Sequence, residues 1–535
     1  MNHSFSQVPS ANIKRTVFNR THAYKTTFNG GYLIPFYLDE ILPGDTFHLQ
    51  ATLFSRMATP IVPLMDNLYM DTFYFFVPNR LIWENWQRFM GEQDSPGDST
   101  DYLLPTMQIG GHSASYHTGK LQDYFGLPTN IPAGNFYTSL PFRAYNLIWN
   151  EWFRDQNLQE PVLCPKGDGP DTSSTCNMEI LRRGKRHDYF TSALPWPQKG
   201  PGVEIPIGTG TVPVITQSQE HTVSGIQQPL KFRNVQTNNV TPGNLWVNSS
   251  GEAALNNINP MTASETLQYP TNLIVDLDRS QAFSATINSL RQAFQLQKMY
   301  ERDARGGTRY VEILRSHFGV ISPDARLQRP EYLGGHSQPV LINPVQQTSS
   351  SDSTSPQGNL SAFAVTSQQS GFSKSFVEHG YVIGLVSVRA DLTYSQGIDR
   401  MWRRKTRFDF YWPTLAHLGE QVVFNSEIYI NNGTPQYHES AFGYQERFAE
   451  YRYKTSKTTN AFRHNFPDGS LNYWHLGQVY NTLPKLGPTF IQENPPIERV
   501  VAVPSQPHFI LDTFIRLRCA RPMPVYSVPG LIDHF

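Results

Sequence analysis

The sequence runs to 535 residues with 44 basic and 44 acidic side chains, a formal net charge of zero. That balance excludes the cationic excess a principal neutraliser of nucleic acid needs and leaves only local basic patches. Only 16% of residues are charged, against roughly 25% in a typical soluble domain, and 13% are aromatic; low charge with many rings, Pro and Gly predicts short strands, long ordered loops and surfaces that pack against other proteins.

Residues 1–30 are polar and basic, with Lys14, Arg15, Arg20 and Lys25, and read as an extended N-terminal arm. Thr46-Phe47-His48-Leu49-Gln50-Ala51-Thr52-Leu53 alternates polar and apolar, the period of a half-buried strand over 45–54. Residues 68–77 are apolar on both parities, which predicts a strand buried on both faces. Pro78-Asn79 offers a helix start, with Leu81, Ile82, Trp83, Trp86, Phe89 and Met90 as a face ending at Gly91. A second helical stripe is Phe142, Tyr145, Trp149, Trp152 and Phe153.

From 199 to 270 charge and large apolar residues thin out, and the segment reads as an insertion with weak β structure of its own. A helix follows, capped at Ser284, carrying Ile287, Leu290, Phe294, Met299 and Tyr300, and ending at Gly306-Gly307. A shorter helix from Thr308 stops at Gly319, so 284–333 reads as a helical insertion. Residues 346–370, rich in Ser, Gln and Thr, read as a polar loop. Strands are expected again at 381–394, 421–430, 476–483 and 508–519. In the last, Phe509, Leu511, Ile515, Leu517 and Cys519 share one parity and Asp512, Arg516 and Arg518 the other. Both chain ends therefore read as strands of one β core, with the bulk of the chain as excursions between strands.

No P-loop, H-E-x-x-H or G-x-S-x-G pattern occurs. The three cysteines, Cys164, Cys176 and Cys519, are odd in number and lack a C-x-x-C spacing, so neither a disulfide framework nor a zinc site is indicated. Asp168-Gly169-Pro170-Asp171 reads as a plain turn. No cofactor is expected, and an interfacial calcium ion has no ligand pattern behind it. The start of the chain lacks the basic and apolar regions of a signal peptide, and no apolar run reaches a membrane span. The expectation is a soluble protein made in a reducing cytoplasm.

Three basic clusters stand out. They are Arg182-Arg183-Gly184-Lys185-Arg186-His187; Arg302, Arg305, Arg309, Arg315, Arg326 and Arg329; and Arg400, Arg403, Arg404, Lys405 and Arg407 beside Trp402, Phe408, Tyr411 and Trp412. Arginine with flat rings is the chemistry of sequence-tolerant single-strand binding. The competing reading pairs these arginines with Asp303, Glu312, Asp324 and Glu331 or sets them between subunits.

Several long stretches resemble one family. They include Leu42-Pro43-Gly44-Asp45-Thr46-Phe47, Phe76-Val77-Pro78-Asn79-Arg80, Glu301-Arg302-Asp303-Ala304-Arg305-Gly306-Gly307-Thr308-Arg309-Tyr310, Arg389-Ala390-Asp391-Leu392-Thr393-Tyr394 and Pro524-Val525-Tyr526-Ser527-Val528-Pro529-Gly530-Leu531-Ile532-Asp533-His534. The chain resembles the major capsid proteins of microviruses, small single-stranded DNA bacteriophages, in their gokushovirus branch. The resemblance implies an eight-stranded antiparallel jelly roll with long inter-strand insertions, assembling through pentamers into a T=1 icosahedral shell. Made in the bacterial cytoplasm, it would belong to the virion. Its partners would be copies of itself, the single-stranded DNA genome, a small basic DNA-binding protein and a host receptor.

On that reading 199–270 is the candidate for an outward threefold protrusion. Arg400, Trp402, Arg403, Arg404, Lys405, Arg407, Arg302, Arg305 and Arg309 are candidates to face the genome. The tail 520–535, with Pro522, Pro524, Tyr526, Pro529, Leu531 and Phe535, is the candidate for contacts between subunits. The alternative is a jelly-roll carbohydrate-binding protein or a glycan-active enzyme. The enzyme needs two carboxylates across a cleft, and no pair stands out in the sequence.

Overall fold

A computed structural model describes residues 14–108, 118–132, 134–203, 287–321, 328–353, 356–430 and 439–526, with the backbone of six short strands between 214 and 275. The chain divides into two compact units, Gln198–Arg302 and the remainder.

The larger unit is mainly β and antiparallel. The strands of its two main sheets are β1 (Thr16–Asn19), β2 (His22–Phe28), β3 (Ile34–Ile41), β4 (Thr46–Met57), β5 (Leu68–Pro78), β6 (Glu331–Pro339), β7 (Leu341–Gln346), β8 (Leu360–Ser375), β9 (Gly380–Ala390) and β10 (Phe509–Arg521). One sheet runs β1-β10-β4-β8-β7, with β2 also on β10; the other runs β6-β5-β9-β3. The two sheets share one core. Phe47, Leu49, Ala51 and Leu53 of β4 and Leu511, Ile515 and Leu517 of β10 meet Met70, Tyr74 and Phe76 of β5 and Val382, Val386 and Val388 of β9.

The alternation in β4 is complete: every second residue from Phe47 to Met57 is buried. β9 is buried along its whole length, because its sheet is covered on both sides. Phe75, Val77, Tyr381, Ile383 and Leu385 on its far face pack under Trp83, Phe142, Tyr145 and Trp149. These belong to the excursion after β5, whose main helix is α1 (Leu140–Ile148), continued by a π-helical turn, Trp149–Phe153.

One buried ion pair anchors this layer. Arg143 is fully buried and holds Asp171 through Nε and Nη2 at 2.8 and 2.9 Å. Its remaining Nη1 donates to the carbonyls of Ile82 and Gly167. One arginine thereby ties α1 to two loops distant in sequence.

The expectations at 45–54, 68–77 and 508–519 correspond to β4, β5 and β10. Others need correction. The polar loop at 346–370 is wrong over its second half, which is β8, paired to both β4 and β7. Its inward positions are Ala362, Ala364, Thr366, Gln368, Ser370 and Phe372. Small and polar side chains there hide the strand from a hydropathy reading. On the other parity close approach demands glycine: a Cβ on Gly371 would lie 2.0 Å from the Leu49 carbonyl oxygen.

Residues 476–483 form no strand. The N–H groups of Leu476, Gln478 and Tyr480 donate to the Asp66 carboxylate, the Thr393 carbonyl and the Gln396 side chain, leaving no ladder to build. The strand expected at 421–430 ends at Phe424, where the Glu427 carboxylate accepts the Phe424 N–H and opens a helical turn, Asn425–Ile428. The arm 1–30 is not free over 16–28, since β1 and β2 both pair with β10; residues 1–13 lie outside the described residues.

In the smaller unit, four short strands (Leu230–Asn234, Val240–Val247, Ala253–Asn256 and Gln268–Pro270) form one antiparallel sheet, and Val214–Thr216 pairs with Leu273–Val275. The unit reaches Arg302, beyond the expected limit of 270, and so takes in most of α2 (Ile287–Arg305). Its expected cap, Ser284, lies outside the described residues. α3 (Tyr310–Phe318) ends at Gly319 in the left-handed conformation, φ 69°. The expected helical insertion at 284–333 stops short of its limit, because Glu331 already opens β6.

Asp171→Ala strands the buried Arg143 charge and should lower stability by about 3–5 kcal/mol in urea unfolding, while the double change Arg143→Met, Asp171→Leu recovers most of the loss. A loss under about 1 kcal/mol, the range of exposed pairs, would contradict this role.

Candidate nucleic-acid interface and assembly surfaces

The first basic cluster is engaged internally at Arg182, Arg183 and Lys185, while Arg186 and His187 are exposed. Arg182 donates to the Glu493 carbonyl (2.9 Å) and the Tyr32 hydroxyl (3.0 Å), with its guanidinium 4.0 Å from the Tyr32 ring. Arg183 and Arg389 flank Asp71 at 2.5 and 2.9 Å. The Lys185 ammonium lies 4.8 Å from the Phe490 ring, and burial pushes its pKa down. Beneath them Glu493 is buried with one carboxylate oxygen unpartnered, and burial raises its pKa. This cluster joins the excursion after β5 to the sandwich.

Half of the second cluster is engaged as well. Arg305 donates to Glu420 and lies 3.4 Å from Glu446. Arg309 bridges Glu151 and Glu312, each at 3.0 Å. Arg329 covers the Trp152 ring at 4.4 Å. Of the acids anticipated as partners, Glu312 takes Arg309, whereas Asp303 meets His317 and Glu331 meets Lys374. Arg302, in the smaller unit, and Arg315 are exposed; Arg326 and Asp324 lie outside the described residues.

The third cluster divides. Arg400 reaches Glu427 at 3.0 Å, Arg404 reaches Glu450 at 3.5 Å, and Arg403 donates to Ser426 with its guanidinium 4.3 Å from the Phe424 ring. Glu427 is buried, its carboxyl raised by desolvation, and it also accepts from the Tyr189 hydroxyl at 2.9 Å. Glu427 and Glu450 line a pocket of about 190 Å³, but arginines engage both, so the pair is not the free acid and base of a glycosidase. Lys405 and Arg407 instead stand exposed on the same segment as Trp402 (74% exposed), Phe408, Phe410, Tyr411 and Trp412. The structure therefore brings two cations and five rings of this cluster to one exposed stretch of chain.

The tail starts structured. Arg521 lies 3.2 Å from Asp45 and donates to the Glu40 carbonyl. Pro522 sits beside Gly44, and Met523, Pro524, Val525 and Tyr526 (84% exposed) turn to solvent. Pro529, Leu531 and Phe535 lie outside the described residues. Large apolar side chains are also bare at Tyr310, Phe318 and Ile321. The sequence reading missed this last group, because their spacing on and after α3 looks like an inward helix face.

Asp168 accepts from Trp83 Nε1 (2.7 Å) and Asn85 Nδ2 (2.8 Å), which hold its carboxyl below the usual range. Its role is to anchor the loop. Among the described residues no group of three His, Cys, Asp or Glu side chains is placed to hold a metal ion, and no helix is long and apolar enough to cross a membrane.

A family model described as "Capsid protein (F protein)" matches residues 6–531. The chain belongs to this capsid protein family. It is 47% identical to capsid protein VP1 of Bdellovibrio phage phiMH2K over 542 aligned residues, covering 100% of this chain and 98% of the relative. It is 45% identical to capsid protein VP1 of Chlamydia phage 1, covering 99% and 98%, and 39% identical to that of Spiroplasma virus 4, covering 99% and 97%. The protein is thus a structural component of a phage virion, not an enzyme, and its work is association into a shell.

Proposed function

We propose that this chain closes a T=1 icosahedral shell, through pentamers, around a single-stranded DNA genome. The observation that carries the reading is the end-to-end relationship to phage capsid proteins. Eight strands in the orders β2-β10-β4-β8 and β3-β9-β5-β6 divide four and four between two sheets with a common core, which supports a jelly roll extended at its edges by β1 and β7. Shell contacts repeat head to tail until symmetry closes them, and each can be weak because many act together. The bare apolar side chains at Tyr310, Phe318, Ile321, Val525 and Tyr526 suit such contacts, since exposed apolar patches of this kind mark interaction sites.

Genome contact in the third cluster falls to Lys405, Arg407 and the rings around them, because Arg400, Arg403 and Arg404 are engaged internally. A net charge of zero leaves bulk neutralisation of the DNA to a small basic protein. The unit Gln198–Arg302, compact in its own right, is the segment that meets the host receptor.

Two outcomes test this reading. Removing 522–535, while keeping the Arg521–Asp45 contact, should leave soluble subunits that form no shells under the electron microscope; normal particles would refute the tail's role. Exchanging 198–302 with the matching segment of a relative should move host range with it, measured by plaque formation on each host. Unchanged host range would remove the receptor assignment.

A further inference from the structure

Among the described residues, nothing covers the six-stranded sheet on the side away from the core. Its outward positions are set by register. Across β10 and β4, Ile510 stands opposite Arg56, Phe514 opposite Thr52, Arg516 opposite Gln50 and Arg518 opposite His48. β2 adds Lys25 opposite Asp512, and β8 adds Ser367, Gln369 and Ser373. All of these but Thr52, Gln50 and the β8 residues are charged, basic or apolar, and all are exposed.

An antiparallel sheet commonly has one solvated face, and an ordinary one alternates its charges. This face does not. Arg56, Arg516 and Arg518 make no ion pair among the described residues, and the one acid, Asp512, is 3.9 Å from Lys25. Arg15 adds another cation, donating to Thr46 at the end of β4. The whole chain balances acid against base, so this concentration is local. Between the cations stand Phe54 and Phe514, each 45% exposed, and Ile510, 59% exposed. The two rings are diagonal neighbours, since Phe514 faces Thr52 and Phe54 lies two residues on. The Arg516 guanidinium lies 5.7 Å from the Phe514 ring.

We propose that this sheet face is a platform for single-stranded DNA, with Arg56, Arg516 and Arg518 on phosphates and Phe54 and Phe514 under bases. Unpaired cations around exposed rings on a shallow polar sheet match the way sequence-tolerant single-strand binders combine backbone charge with base stacking. A lipid surface fits less well, because Thr52, Gln50, Gln369 and Ser367 border the two rings, while the further exposed apolar side chains of this face, Leu341, Val345 and Phe363, stand toward its β7 edge. The proposal rests on the genome-enclosing reading above and gives it a second surface, separate in sequence from Lys405 and Arg407.

Ultraviolet crosslinking of intact particles, followed by sequencing of the DNA-bound peptides, separates the readings. Crosslinks at Phe54 and Phe514 are expected. Crosslinks confined to 402–412 would overturn the platform and keep the Lys405–Arg407 assignment; crosslinks in neither region would overturn both. In solution, the full chain carrying Arg56→Gln, Arg516→Gln and Arg518→Gln should bind labelled oligo(dT) with a salt slope smaller by about 2, at roughly 0.7 per lost phosphate contact. The matching Arg→Lys triple should restore the slope and so report any loss of folding. An unchanged slope in the Gln triple, or tighter binding of the parent protein to phosphatidylserine vesicles than to oligo(dT), would overturn the proposal.

Discussion

The pairing of β10 with β4 holds the molecule together. It runs in unbroken register from Phe509 opposite Met57 to Ala520 opposite Thr46, joining the two ends of the chain. β10 also carries β1 and β2 on its other edge. Without it, half of the sandwich core loses its cover: Leu511, Ile515 and Leu517 leave, and Phe47, Leu49 and Leu53 are exposed to water. Each such side chain contributes about 1.5–3 kcal/mol when buried. A contact between chain ends is also about as non-local as a chain allows, so loop-closure entropy makes it slow to form. The fold therefore completes only once the C-terminus is available.

Everything between those ends is free to diverge in role. One excursion roofs the β5–β9 sheet and is fastened by Arg143 and Asp171. Another holds the third basic cluster around Glu427 and Glu450. A third is compact by itself between Gln198 and Arg302. Charge follows the same division. Of the clustered arginines, Arg183, Arg309, Arg400 and Arg404 are spent on Asp71, Glu151, Glu427 and Glu450. Other cations are exposed, on the outward sheet face and at Arg302, Arg315, Lys405 and Arg407. A zero net charge thus conceals a marked separation between paired interior charge and unpaired surface charge.

How much of this the sequence discloses depends on which side chains face the core. β4 and β10 are legible because large apolar residues occupy the inward parity. β8 is not, because Ala364, Thr366, Gln368 and Ser370 do the same job with small or polar groups, one of them bonded to the buried Tyr74 hydroxyl at 3.0 Å. Residues 476–483 differ in the other direction, since their N–H groups go to Asp66, Thr393 and Gln396 rather than to a neighbouring strand. The arginine clusters were visible as composition, but their partners were not: Asp71 and Glu427 are far away in sequence from Arg183 and Arg400 and are brought near only by the fold. The rings on the sheet face escaped notice for a related reason. Phe54 and Phe514 occupy positions that alternation assigns to solvent and to polar residues.

The central claim is that each chain closes its own sandwich with its own last strand. Cysteines placed at Thr52 and Phe514, register partners on the open face, test it directly after mild oxidation. The account predicts a disulfide within one chain, seen as a faster-migrating monomer on a non-reducing gel. A disulfide-linked dimer or ladder would show that β10 is exchanged between copies and would contradict it.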